Sequence, residues 1–175
     1  MQWHTSLFEL IDLRSFSNLW YWIALAVFWS TASHWVLGVP FDLVQRAQRR
    51  GGAAGEDVHI LVRVYVNRLL HIGRVSGMWL TAIVAAVLTA LAILGFHYRV
   101  EFCQAVFLLA FPMSLVGALS IRTAGRIAAE EVSGDALYRR LRRHRSAVQM
   151  IGMLSIFVTA MWGMWQNMNS SALGG

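Results

Sequence analysis

The stretch DVHILVRVYVNRLLHIGRVSGMWLTAIVAAVLTALAILGF, residues 57–96, changes character once along its length. In its first part His59, Arg63, Asn67 and His71 recur every four residues, while Val58, Leu61, Val62, Tyr65, Val66, Leu69 and Leu70 fill the opposite side. That is the period of an amphipathic helix with one wet face and one packed face. From Val75 to Tyr98 no aspartate, glutamate or arginine occurs, and the amphipathic pattern gives way to a predominantly apolar run. A helix through the whole stretch would extend about 60 Å, roughly twice the hydrocarbon thickness of a bilayer. One continuous helix therefore has to begin in water and end in lipid.

Three more windows lack Asp, Glu and Arg: Ser15 to Phe41, Phe102 to Ile121 and Ser146 to Gly175. Each is long enough to cross a membrane, which takes about 20 residues of helix. The expectation is an all-α polytopic membrane protein, a single domain of 175 residues with four transmembrane helices at about 18–38, 75–96, 102–121 and 147–165. Two helical loops connect them, at 40–74 and 122–146. In the first, the breaker Pro40 precedes a short helical piece and the flexible GGAAG of residues 51–55, after which Glu56 and Asp57 head the long helix. In the second, the third helix runs on to Glu131, stops at Ser133-Gly134, and Asp135 caps the next. The composition agrees: 57% of residues are apolar and the mean hydropathy is +0.52, which exceeds a soluble chain of this size. The N-terminal segment lacks the basic start of a cleavable signal and carries Glu9 and Asp12 instead. Residues 1–16 read as a short interfacial helix, with Ser6 and Glu9 as a capping box and Trp3, Leu7, Leu10 and Ile11 on one face.

Arginine, the basic residue used throughout in place of lysine, is distributed on one side. The loop 40–74 holds Arg46, Arg49, Arg50, Arg63, Arg68 and Arg74; the loop 122–146 holds Arg122, Arg126, Arg139, Arg140, Arg142, Arg143 and Arg145. Only Arg14 and Arg99 fall on the other side. Cytoplasmic loops carry the basic excess, so both loops are expected in the cytoplasm and both termini outside, in a bacterial inner membrane. The net charge of +6 is thus a topology signal beside apolar runs, and nucleic acid is not an expected partner. The arginines can hold anionic lipid head groups at the surface. Arg140 and Arg143, with Arg63 and Asn67 from the other loop, are expected to form a face that meets an acidic protein partner.

Small residues recur at the spacing that lets helices approach closely: Ala26, Ser30 and Ser33; Gly73 and Gly77; Ala110, Ser114 and Ala118; Ser155, Thr159 and Gly163. They imply packing within the bundle, and at least one stripe is expected to meet another membrane subunit or a second copy of the chain. Met150, Met153, Phe157, Met161, Met164 and Met168 form a soft stripe along the last span, suited to irregular packing. His34, His71 and His144 should lie near the cytoplasmic boundary on three helices, where a facing pair could ligate a haem. The arginines around His71 and His144 disfavour a cation there, and no metal or other cofactor is expected. Gln104, Gln149, Gln166 and Asn167 lie near span ends, within reach of water, and Pro112 should bend the third helix. The single Cys103 excludes an intrachain disulfide and a zinc ribbon. No acid lies mid-span, which argues against a proton or cation carrier, and no nucleophile triad, phosphate loop or carboxylate pair can be assembled. An enzyme is not expected.

The segments SFSNLWYWIALAVFWSTASHWVLGVPFD (15–42), VEFCQAVFLLAFPMSLVGALSIRTA (100–124) and IGMLSIFVTAMWGMWQNMN (151–169) resemble a family of small bacterial four-span inner-membrane proteins. Some of its members carry the label "component of SufBCD complex", so the resemblance implies a link to iron–sulfur cluster assembly. It transfers no catalytic residue. Together these observations lead to the expectation of a non-catalytic subunit, scaffold or assembly factor of a larger membrane complex, respiratory, photosynthetic or concerned with iron–sulfur assembly. Two other readings remain: a small homo-oligomeric channel or transporter lined by Ser, Thr and Gly, and a haem-binding redox subunit.

Overall fold

The computed structural model describes Phe16, residues 19–130 and residues 132–172. Except for Phe16, the expected interfacial helix at 1–16 lies outside the described residues. Helix α1 (Leu19–His34) leads through a tight hairpin, β1 (Trp35–Val36) and β2 (Val39–Pro40), into α2 (Phe41–Arg50). Then come the long α3 (Gly52–Ala92), which widens into a π-turn at Ile93–His97, α4 (Glu101–Ala129) and α5 (Gly134–Ala172). Three of these helices are long and apolar enough to cross a membrane: α3 with its π-turn, α4 and α5.

The expected first span differs. Its helix ends at His34 and not at Gly38, because Leu37 and Gly38 both take positive φ, 50° and 81°. Two such residues make the kind of turn that closes a two-residue hairpin, and Trp35 pairs with Pro40 and Val36 with Val39 across it. The Tyr65 ring presses on Gly38 so closely that no Cβ could be added there. The resulting helix of 16 residues is about 24 Å long, less than the roughly 30 Å of hydrocarbon.

Two local expectations are corrected. The GGAAG segment is not a flexible linker: positive φ at Gly51 and Gly52 makes the turn, and α3 begins at Gly52. Gly55 is buried, with only 3.3 Å between a hypothetical Cβ and the Tyr138 hydroxyl. Asp135 is not a cap but sits in the first turn of α5. The N–H of Gly134 donates to His59 Nε2 at 3.2 Å, so a side chain from α3 takes the place a local cap would fill. Pro112 lies buried inside α4, which continues on both sides of it.

Packing separates into two layers. At the arginine-rich end, Val36, Val39, Val44, Val58, Val62 and Val66 meet Ala124, Ile127, Leu137 and Leu141 in one core drawn from the hairpin and all of α2–α5. The apolar layer has a smaller core in which Leu25 and Trp29 of α1 pack with Val116 of α4 and Val148 of α5. The apolar half of α3 lies outside that cluster, and the π-turn that follows it packs against α4 where Gly95 meets Gln104.

Candidate functional site

Between α3 and the turn joining α4 to α5 lies a cleft of about 520 Å³ in the basic layer. The amphipathic pattern of α3 builds it. Val62 and Val66 turn into the core and form the floor with Ile127 and Leu137, while Arg63 and Asn67, exposed and one turn apart, stand on its rim with His59 and Ser133. Apolar burial below thus fixes the backbone that presents a guanidinium and an amide above. A cleft of this volume falls in the range of ligand and peptide sites, and Arg63 gives its rim a positive charge.

The arginine cluster of α5 does not point one way. Arg145 donates through Nε to the Ser33 carbonyl at 3.3 Å, and its guanidinium carbon lies 4.0 Å from the centre of the Phe41 ring. Arg142 Nη2 donates to Gln48 Oε1 at 2.6 Å. Arg140 makes a two-pronged ion pair with Glu130, at 3.1 and 2.8 Å. Arg139 and Arg143 are exposed. Of the four residues expected to form one face, the structure brings Arg63 and Asn67 together at the cleft. Arg140 is engaged by Glu130 at the end of α4, and Arg143 stays on the exposed side of α5.

The three histidines occupy different settings. His34 is exposed at the end of α1, 4.0 Å from Asp42, and His71 is exposed on α3. His144, just before the apolar run of α5, is only 5% exposed; its Nδ1 lies 3.2 Å from Thr123 Oγ1 and its Nε2 3.4 Å from Ser120 Oγ. Burial holds its pKa below the ordinary imidazole value. A neutral ring donates through one nitrogen and accepts through the other, so one hydroxyl must turn its proton from its own helix toward the ring. Both nitrogens are then occupied, which makes His144 a buried structural tie between α4 and α5. Among the described residues no three of His, Cys, Asp and Glu come together to hold a metal.

The small residues divide in the same way. Ser155, Thr159 and Gly163 face the interior: Ser155 Oγ donates to the Leu108 carbonyl at 3.4 Å, Thr159 is fully buried, and Gly163 has Phe16 and Trp22 against it. Gly73 meets Ile121 across α3 and α4, with 3.6 Å for an added Cβ, whereas Gly77 faces open space. Ala26, Ser30 and Ala118 are exposed; Ser33, Ala110 and Ser114 are half-buried. The methionine stripe of α5 is turned outward.

One polar centre was not legible in the sequence. Gln104, expected at a wet span end, is 2% exposed and bonded by protein at both its amide nitrogen and its oxygen. Its Nε2 donates to the Gly95 carbonyl at 2.8 Å, and its Oε1 accepts from Trp162 Nε1 at 3.0 Å and Gln166 Nε2 at 2.6 Å. The centre joins the π-turn after α3 to α4 and α5. It is a structural clamp, in which each buried polar atom has a partner as apolar surroundings require. Comparison with protein families, curated proteins and solved structures finds no match to this chain.

Proposed function

We propose that the chain is a non-catalytic integral subunit, scaffold or assembly factor of a larger inner-membrane complex, which receives an acidic segment of a partner protein in the cleft between α3 and the α4–α5 turn. The observation that carries this reading is the cleft itself: Arg63 and Asn67 exposed at the rim of an apolar floor that a rigid core holds in place. An acidic segment with one or two apolar residues would satisfy both parts. Salt would weaken the encounter more than the docked contact.

On this reading the basic layer is cytoplasmic and α1 is the fourth span. Phe16 and Trp22 pack at Gly163, while Ser33 accepts from Arg145 near the other end of the same helix. From Arg145 to Gly163 the helix α5 rises about 27 Å, close to the hydrocarbon thickness, and α1 together with Phe16 touches α5 at both ends of that distance. The outward face of α3 beyond Val75 then meets lipid or neighbouring subunits. The resemblance to proteins labelled as SufBCD components makes iron–sulfur assembly one candidate setting, beside respiratory and photosynthetic complexes.

The test is extraction of the tagged full chain from its own membrane in mild detergent, comparing native protein with the double variant Arg63→Glu, Asn67→Asp. Co-purification of a partner from the native chain, lost in the variant while topology is kept, supports docking in the cleft. Recovery of a lone monomer, or a partner held equally by both chains, overturns it.

A further inference from the structure

A groove of about 490 Å³ runs between α1 and α5. Ala26, Ser30 and Ser33 form one wall and Gln149, Met153 and Ile156 the other. The Trp29 ring, 3% exposed, lies on Gly152, where a Cβ would come within 2.7 Å of it, and so forms the floor. Its body is apolar and its polar residues gather at the basic end.

Arg145 precedes Gln149 by one turn of α5 and is joined to the groove wall through the Ser33 carbonyl. The Nε bond caps the carbonyl end of α1, and the Phe41 ring lies 4.0 Å from the guanidinium carbon. Neither contact supplies an anion, and among the described residues Arg145 enters no ion pair. The neighbouring Asp42 lies 4.0 Å from His34. Arg142 is nearby on α5 and bonds the neutral Gln48. Arg145 thus lies beside the polar end of the groove, bonded to its wall residue Ser33, with its Nη groups without a protein partner among the described residues.

We propose that this groove is a binding site for one phospholipid with an anionic head group. The phosphate lies on Arg145, the Gln149 amide serves as a second donor, and one acyl chain follows Gly152, Met153 and Ile156. A free phosphate would use only the mouth, and a zwitterionic lipid would leave the arginine partly uncompensated. Lipid selection here does not depend on the partner proposed for the cleft.

Native mass spectrometry of the full chain, with phosphatidylglycerol and phosphatidylcholine of identical acyl chains added to the micelles, tests the site. The native chain should retain one phosphatidylglycerol with a preference of about fivefold over phosphatidylcholine, the size expected of one surface arginine. Arg145→Gln should bring the preference to unity and Arg145→Lys should restore it. Ser30→Phe, on an exposed position, should fill the groove and lower retention of both lipids. Glycerol 3-phosphate should not displace the lipid. Equal retention of the two lipids by the native chain overturns the proposal, as does an unchanged preference in Arg145→Gln, undiminished retention in Ser30→Phe, or displacement by glycerol 3-phosphate.

Discussion

In the first half of α3 the residues Val58, Val62 and Val66 are 1–3% exposed, whereas in the second half Val75, Met78, Ile83 and Val87 are 50–78% exposed. The residue types are similar and the helix is unbroken, so local sequence preference does not separate the halves. On the membrane reading proposed above, what separates them is the surrounding solvent. Beside water, hiding a valine gains about 25 cal/mol for each Å² of apolar surface covered, so the basic layer closes into a core. Within lipid the surrounding tails are as apolar as the side chain, and helices associate through close fit and hydrogen bonds. The apolar layer accordingly relies on Gly152 under Trp29, Gly163 under Phe16 and the Gln104 clamp.

The largest expected effect comes from cutting the core of the water-facing half. Leu141→Ala, at a fully buried site, should destabilise the protein by about 2–5 kcal/mol, as cavities in cores do. Ile83→Ala, 58% exposed, should change stability by no more than about 0.5 kcal/mol. Thermal unfolding of both variants in bicelles checks the pair; equal losses would break the comparison.

Next in size are the glycines. A Cβ on Gly95 would sit 2.9 Å from the Gln104 backbone nitrogen, which cannot yield as a flexible side chain can. Gly95→Ala should therefore cost about 1–3 kcal/mol by overpacking and should loosen the clamp, visible as faster amide exchange at the start of α4. Gly77→Ala meets open space within the chain and should leave monomer stability intact. Should Gly77→Ala instead dissociate a native oligomer, that face of α3 is a subunit contact and not a lipid face.

The smallest effect is that of pH. His144 has its pKa lowered by burial, so the unfolded chain binds this proton more readily than the folded one. Its contribution is to reduce stability as pH falls below the ordinary imidazole pKa of about 6.5, until the folded ring also protonates. Stability in bicelles should fall more from pH 7 to 5 in the native chain than in His144→Gln. An identical fall in both would show that the tie between α4 and α5 does not titrate as described.

Much of this architecture was legible because solvent is written into composition: the apolar runs and the four-residue recurrence of His59, Arg63 and Asn67 locate α3, α4 and α5 and the wet face of α3. What was missed depends on pairs far apart in sequence. The early end of α1 follows from a hairpin whose Gly38 is pinned by Tyr65, and Gly134 is capped by His59. Gln104 at the end of an apolar run looks water-bound until Gly95, Trp162 and Gln166 are brought to it. Arg140 reads as free until Glu130 folds back. The cleft was half legible: Arg63 and Asn67 were visible on one face, but the floor from Ile127 and Leu137 was not.

The central claim is that one continuous helix passes from water to lipid near Gly73. Site-directed labelling tests it most directly, with Cys103→Ser as background, single cysteines at Asn67 and Ile83, and a membrane-impermeant maleimide applied to spheroplasts and to inverted vesicles. Labelling of Asn67→Cys only in inverted vesicles, with Ile83→Cys unlabelled in both, is the predicted result. Labelling of Ile83→Cys from either aqueous side, or of Asn67→Cys from the outside, would contradict it.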